Sequence, residues 1–548
     1  MEWPADRTTG TAMAVWRHAA EAALVDITQD REKIRPAIES FKQSLAACEN
    51  FRTEYRKIVE EFVTIMASAS NEQALDMAQA GIDALHSLMM YRLDSYTAVP
   101  AKDAFIVTSS YEKLRTVHIQ GTQEVGSSHF QLPLVNPANI EEELYGHGAC
   151  AQVDAWQKYG VLETSASVYA KTALVNTSLP SVAHRKKFCL LGCTSELGPA
   201  RSLLLIPGVE VVGVCRSGDK LDNLVQYVKS RSPVTSRLSV PENGADILTQ
   251  GPQVAQWILD QTKPEETLVL MPLAYADGEM NVRLCVAMDL IIQRVTRQRR
   301  KAIIYQYSTP SQVLVLPPMA ASAAQNRLGK RPTWEKFTSS LSFGNWLQAS
   351  LPESNNDYCI LNSIASAQGP NYILAKTLQM WRCMIAYYRD DLCVSAPFAP
   401  ICRTRSVVAY ESIATVLEGM HHFEPMLAFD ASVASSLMCA IMLSQIQVVN
   451  RPVPDMDENP FTLFWDGSAH GGVWTCPYTL ESISTVNWVL GRTMYPKGFI
   501  PEAALAKEKS PEDETRRTKA AIKALEEMEQ SQFGKPMPEC VRERLEFM

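Results

Sequence analysis

The chain has 548 residues, more than one hydrophobic core usually organises; with 46% hydrophobic and 20% charged residues it excludes global disorder and predicts a large central domain with additional parts. A net charge of −8 argues against nucleic acid as the main partner, and 13 Cys without CxxC pairs exclude a disulfide framework and give no metal site, pointing to reduced thiols in a cytoplasmic compartment. There is no basic start followed by an apolar run, and no segment is apolar for long enough to span a bilayer, so a soluble protein without a membrane span is expected.

Residues 1–182 read as a mainly helical N-terminal region. Ile34, Ile38, Phe41, Leu45, Cys48, Tyr55, Val59 and Phe62 recur mostly at three- and four-residue steps, with Asp30 as the expected N-cap and Pro36 near the first turn. A second pattern from Glu72 to about Tyr91, carried by Leu75, Met77, Ile82, Leu85 and Met89, predicts an antiparallel neighbour. Such a hairpin packs on the rest of the chain or serves a second copy or complex partner. Residues 100–182 carry no clear pattern.

From Arg185 short apolar runs alternate with helices, which is the βαβ signature of a parallel sheet. The predicted fold is therefore α/β: a Rossmann-type doubly wound parallel sheet over 183–500 with a small C-terminal substrate-binding part. Strands are expected at Phe188–Leu191, Val209–Cys215, Thr267–Leu273 and Ala302–Tyr307, with a helix over about Asn281–Val295. An insertion near 310–358, rich in Ser, Asn and Pro, reads as a lid or contact surface. Residues 501–548 form a charged tail, with Pro511–Gln530 a solvated helix.

The first of these strands runs into Gly192-Cys193-Thr194-Ser195-Glu196-Leu197-Gly198, a glycine-bearing turn toward a helix, where backbone N–H groups and the helix dipole favour a pyrophosphate. Gly192 and Gly198 fit the outer positions of G-x-x-G-x-x-G, while Ser195 occupies the middle. The second strand ends in Arg216, a base that suits the 2′-phosphate of NADP, where an acid would have pointed to NAD.

In order, the glycine turn, Val209-Glu210-Val211-Val212-Gly213-Val214-Cys215-Arg216, Asp246-Ile247, Lys263-Pro264 and Ala302 to Thr309 resemble an extended short-chain dehydrogenase/reductase of the epimerase/dehydratase-like kind. Phe429 to Ala434 is similar to the family's V-D-D-V-A element, and Phe464 to Gly467 with Tyr478 to Ile483 to its closing strand and helix. The likeness spans about Arg185 to Gly491. It implies coenzyme contacts from Gly192, Thr194, Ser195, Leu197, Gly198 and Arg216, an adenine contact at Asp246-Ile247, and a ribose lining at Leu273-Ala274.

Tyr372 and Lys376 stand four residues apart, on one face of a helix begun by Gly369-Pro370-Asn371. A phenol with a pKa near about 10 is a poor base at neutral pH, and a neighbouring ammonium favours its phenolate while reaching the ribose. The resemblance makes this pair the family's Y-x-x-x-K. It places the hydroxyl that orients the substrate oxygen at Ser308, with Thr309 second; Ser363 and Ser366, closer upstream of Tyr372, remain competitors.

These residues lead to an expected NADP-dependent oxidoreductase acting on a small-molecule carbonyl or alcohol, with NAD the less suited coenzyme. A nucleotide-sugar epimerase or dehydratase of the same fold, or a non-catalytic scaffold, stands as the alternative. The scaffold is permitted by the Ser195 substitution, the long insertion, and Ala399 to Arg405 where a glycine-containing substrate turn is usual.

Overall fold

The computed structural model describes residues 1–494 apart from 4–8, 25–29, 94–96, 107–111, 126–129, 343, 351–352, 355–356, 366–367, 449–454 and 456. Ser366 and the charged tail lie outside the described residues.

Four helices open the chain: α1 (Thr9–Ala22), α2 (Asp30–Ala47), α3 (Phe51–Ser68) and α4 (Asn71–Leu88). The continuous pattern from Ile34 to Phe62 is cut in two because Asn50 accepts a hydrogen bond from the Arg52 N–H, supplying a cap in mid-pattern. Ser70 and Gln73 form a reciprocal capping box that starts α4. The stretch without a pattern contributes a strand, β1 (Thr116–Gln120), and two helices, α5 (Gly146–Tyr159) and α6 (Thr164–Val175).

The alternating half follows as β2 (Lys186–Leu191), α7 (Ala200–Leu204), β3 (Glu210–Val214), α8 (Asp219–Arg231), β4 (Arg237–Pro241), α9 (Ile247–Gln261), β5 (Thr267–Pro272), α10 (Glu279–Gln298) and β6 (Ala302–Tyr305). The insertion is a folded unit: β7 (Val313–Leu316), α11 (Pro318–Gly329), α12 (Thr333–Leu341) and β8 (Cys359–Asn362), with β7 and β8 antiparallel. Then come α13 (Pro370–Tyr388), β9 (Cys393–Ser395), α14 (Ala431–Val448) and α15 (Leu480–Met494). The expected closing strand at Phe464 to Gly467 is not one. A 3-10 turn spans Pro460–Phe464, and Gly467 follows at φ 75°, outside the strand region.

The seven-stranded sheet has the order β9-β6-β5-β2-β3-β4-β1. All neighbours are parallel except β1, which runs antiparallel to β4. Counted in chain order, the parallel strands stand 3-2-1-4-5-6, the doubly wound arrangement of Rossmann-type sheets. Alternate side chains of β2 feed opposite faces. Phe188 and Leu190 enter a core shared with α5, α6 and α14; Cys189 and Leu191 enter one shared with α1 to α4, α9, α10 and α13. Residues 1–182 are thus spread over both faces and one edge of the sheet.

The N-terminal helices grip α13. Trp381 packs edge-on against Trp16 and Phe62, with centroids 5.6 and 5.9 Å apart. Gly81 of α4 lies so close that a Cβ there would stand 2.2 Å from the Trp381 ring. Beneath this contact Arg382 donates from Nε and Nη2 to the two carboxylate oxygens of Asp289 on α10, at 2.5 and 3.1 Å. His86 Nε2 of α4 lies 2.7 Å from the same carboxylate, and all three side chains are about 5% exposed or less. Burial alone would raise the Asp289 carboxyl, but Arg382 and His86 outweigh it and hold the group well below the usual carboxylate range.

Asp289→Asn should therefore destabilise the fold by about 3 kcal/mol, because it leaves the buried Arg382 charge with only the half-exposed Asp390 carboxylate, 3.4 Å from its Nη1; denaturant unfolding measures this. A depressed folded-state pKa contributes stability that is present above the ordinary carboxylate range and fades as pH falls toward the folded value. The gap between wild type and variant is accordingly expected to stay constant through neutral pH and to narrow only in strong acid. A variant as stable as wild type at neutral pH would contradict the assignment.

Candidate active site

The chain leaves β2 toward β3 and leaves β5 toward β6, so the connections diverge between β2 and β5 and open the crevice where ligands of doubly wound sheets bind. Both sides of the crevice are pinned by backbone hydrogen bonds. The N–H groups of Leu273 and Ala274 donate to the Leu191 carbonyl at 2.8 and 2.7 Å. Those of Gly192 and Cys193 donate to the Val214 carbonyl at 2.8 and 3.1 Å. Gly192 has φ 100°, and a Cβ on it would come within 2.5 Å of the Ala274 nitrogen, so only glycine fits.

The turn beyond differs from the expectation. Ser195 N–H bonds the Gly192 carbonyl and Gly198 N–H the Ser195 carbonyl, and the next helix, α7, begins only at Ala200 after Pro199 and has five residues. Two successive tight turns spend amides that a helix would have aimed at a phosphate, and so short a helix offers little dipole. The amides of Thr194, Glu196 and Leu197 have no hydrogen-bond acceptor among the described residues. Glu196, also in this turn, bonds the Arg405 N–H at 2.7 Å with its guanidinium Nε at 3.4 Å.

Arg216 stands exposed at the tip of β3, its backbone bridged to Gly244, where a Cβ would meet the Ser217 nitrogen at 2.3 Å. Asp246 caps α9 by accepting from Leu248 N–H at 2.8 Å, which occupies one oxygen of the expected adenine contact, and Ile247 is buried in the core. Leu273 and Ala274 line the β5 side of the crevice, half-buried.

On the β5 side, beside Tyr275, α13 starts where Gly369-Pro370 predicts. Tyr372 is half-buried there, and its hydroxyl donates to Thr309 Oγ1 at 3.0 Å. Thr309, the second choice from sequence, is the hydroxyl brought to Tyr372. Ser308 is turned back into the sheet, donating to the Ala396 carbonyl at 3.1 Å, because its strand-end bridge to Phe398 points it inward. Ser363 is consumed by the carbonyls of Pro310 and Gln312.

Lys376 lies one turn along, its ammonium 5.8 Å from the Tyr372 ring centre. It donates to Gln379 Oε1 at 3.0 Å, and Gln306 Nε2 reaches the same oxygen at 3.3 Å. Burial pushes the Tyr372 phenol up to about 12 against a smaller opposing effect of Thr309, and burial lowers the Lys376 ammonium. The anticipated stabilisation of a phenolate by the ammonium is therefore outweighed here: desolvation governs both groups, and Lys376 is directed to a glutamine. The phenol is protonated at neutral pH.

Sequence reasoning missed Gln306 and Gln379, although Gln379 follows Lys376 at a helical i, i+3 step. Tyr275, expected with Leu273 and Ala274 at the end of the ribose-lining strand, stands instead beside Tyr372. That residue is 48% exposed, and its ring lies edge-on to Tyr372 at 6.3 Å. Among the described residues no group of three or more His, Cys, Asp or Glu is placed to hold a metal, and no helix is long and apolar enough to cross a membrane. No protein-family model matches this chain, and no curated protein matches it.

Gly192→Ala is expected to cost about 1–3 kcal/mol through a left-handed side chain driven into Ala274. Gly198→Ala, at a tight but ordinary backbone, should cost less; equal unfolding midpoints for the two variants would refute the geometric distinction.

Proposed function

We propose that the chain is an NADP-dependent oxidoreductase of the short-chain type, which transfers hydride between the nicotinamide and a carbonyl or alcohol carbon of a small molecule. The observation that carries this reading is the Thr309–Tyr372 hydrogen bond beside the switch-point crevice, with Lys376 one helical turn away. The residues available fit the coenzyme: unpaired amides at Thr194, Glu196 and Leu197, an exposed Arg216 for a 2′-phosphate, and the Leu273-Ala274 wall for the ribose. The coenzyme, when bound, supplies or takes the hydride. Tyr372 holds its proton at neutral pH; that hydrogen, given to Thr309 Oγ1 in the free site, would turn to an oxygen gaining charge when substrate binds, with the Thr309 hydroxyl then donating to the phenol oxygen. Tyr275 stands edge-on beside the same phenol. Carbonyl reduction is the direction this protonation state favours.

A second reading, a non-catalytic scaffold, draws on the spent amides of the Gly192 turn and the five-residue α7. NADPH titration followed by tryptophan fluorescence separates the two. Binding that Arg216→Ala weakens for NADPH but not for NADH is expected, and no binding at millimolar coenzyme would favour the scaffold.

Against a panel of aldehydes and ketones, Tyr372→Phe should lower turnover by about 10²–10⁴-fold while leaving NADPH affinity unchanged. Thr309→Val should lower it more than Ser308→Ala, since Ser308 faces the sheet. Because the proton on a phenol with a raised pKa is lost only as pH rises through about 12, reduction should show no alkaline decline from Tyr372 across the neutral range. A decline near neutral pH that disappears in Tyr372→Phe would contradict this.

A further inference from the structure

Two thiols meet at the edge of the same crevice, and the proposed reaction uses neither. Cys193 follows Gly192 in the turn after β2, and Cys215 follows the last residue of β3. The pairing of Leu191 with Val214, and the Cys193 N–H donating to the Val214 carbonyl at 3.1 Å, hold the two backbones side by side. That register, continued, sets Cys215 opposite Gly192 with Cys193 one residue further on; a strand spacing of about 4.8 Å and a rise of about 3.3 Å make the diagonal roughly 6 Å, inside the roughly 4.4–6.8 Å between Cα atoms that a disulfide spans.

The side chains also share a face. Residues two apart on a strand point the same way, so Gly213 and Cys215 look to one side of β3. Cys193 lies over Gly213: a Cβ there would stand 2.8 Å from the Cys193 sulfur. The missing side chain thus leaves room for Cys193 on the face that Cys215 shares, and both enter the same core cluster. The two thiols lie close enough for each to shift the other's ionisation, and Thr194 adds to the effect on Cys215. The Cys193 neighbour lowers the Cys215 thiol below its ordinary value, and the Cys215 neighbour together with burial raises Cys193. Cys215 is also the more exposed, at 8% against 1%. By contrast, the neighbouring Cys189 projects to the opposite face of the sheet.

We propose that Cys193 and Cys215 form an oxidation site that hydroperoxides convert to an intramolecular disulfide. The Cys215 thiolate attacks one oxygen of hydrogen peroxide, and the O–O bond breaks to give the sulfenic acid and hydroxide. The Cys193 sulfur then attacks the Cys215 sulfur; the S–O bond breaks and, with the thiol proton, the oxygen leaves as water. Sulfur loses two electrons and the peroxide gains them. The bond staples the Gly192 turn to the tip of β3 beside Arg216, and its formation does not depend on the coenzyme reading.

The test uses the full folded chain, reduced, treated with hydrogen peroxide, alkylated and digested with trypsin. The peptides Phe188–Arg201 and Ser202–Arg216 should be recovered joined and lighter by two hydrogens, with fragmentation placing the link at Cys193. Dithiothreitol should separate them. Cys189→Ser should keep the link, and Cys193→Ser should abolish it while dimedone labels Cys215 as the trapped sulfenic acid. Recovery of both peptides unlinked from peroxide-treated folded wild-type protein would overturn the proposal. So would a link that forms only in denaturant or runs through Cys189.

Discussion

The Asp289 carboxylate is the point on which the rest of the architecture turns. It receives Arg382 from α13 and lies against His86 from α4, while itself belonging to α10. Three segments distant in sequence therefore converge on one buried charge. A buried ion pair adds little net stability compared with well-packed apolar residues, but removing one partner is costly. Its consequence is positional: α13 cannot slide or rotate without stranding a charge. The Trp381 contacts with Trp16 and Phe62 act on the adjacent residue in the same sense. Tyr372 and Lys376 sit on the N-terminal half of this clamped helix, so the N-terminal region supports the candidate site without lining it.

At the crevice two physical demands compete. Tight turns after β2 satisfy most of their own amides, and this stabilises a backbone that Gly192 threads within van der Waals contact of Ala274. An anion site needs the opposite, amides left pointing outward. The turn leaves Thr194, Glu196 and Leu197 unspent among the described residues, and Arg216 stands exposed nearby at the tip of β3.

At Tyr372 and Lys376 the contest is between desolvation and mutual attraction. Desolvation wins for both groups, since the ammonium is held at Gln379 and stands 5.8 Å from the phenol ring. The phenol stays protonated and Thr309 aims it. The Gln306–Gln379 pair beneath gives Lys376 a neutral acceptor, which offsets burial less than a carboxylate would.

Much of this was legible in the residues themselves. Continuous apolar runs marked β2, β3, β5 and β6, because strands buried on both faces carry no polar alternation. Gly369-Pro370 marked the start of α13, and the four-residue spacing put Tyr372 and Lys376 on one face. The α3 cap at Asn50 was not legible, because the apolar period runs unbroken across it. What the sequence left open was set by partners far along the chain. The short, partly polar β4 becomes a strand because β3 and β1 flank it. Between the adjacent hydroxyls Ser308 and Thr309, the bridge to Phe398 decided which one faces Tyr372. The spacing of Tyr372 and Lys376 is a property of one helix and is written locally; their protonation depends on how much water the surrounding elements exclude, which exists only once those elements have packed.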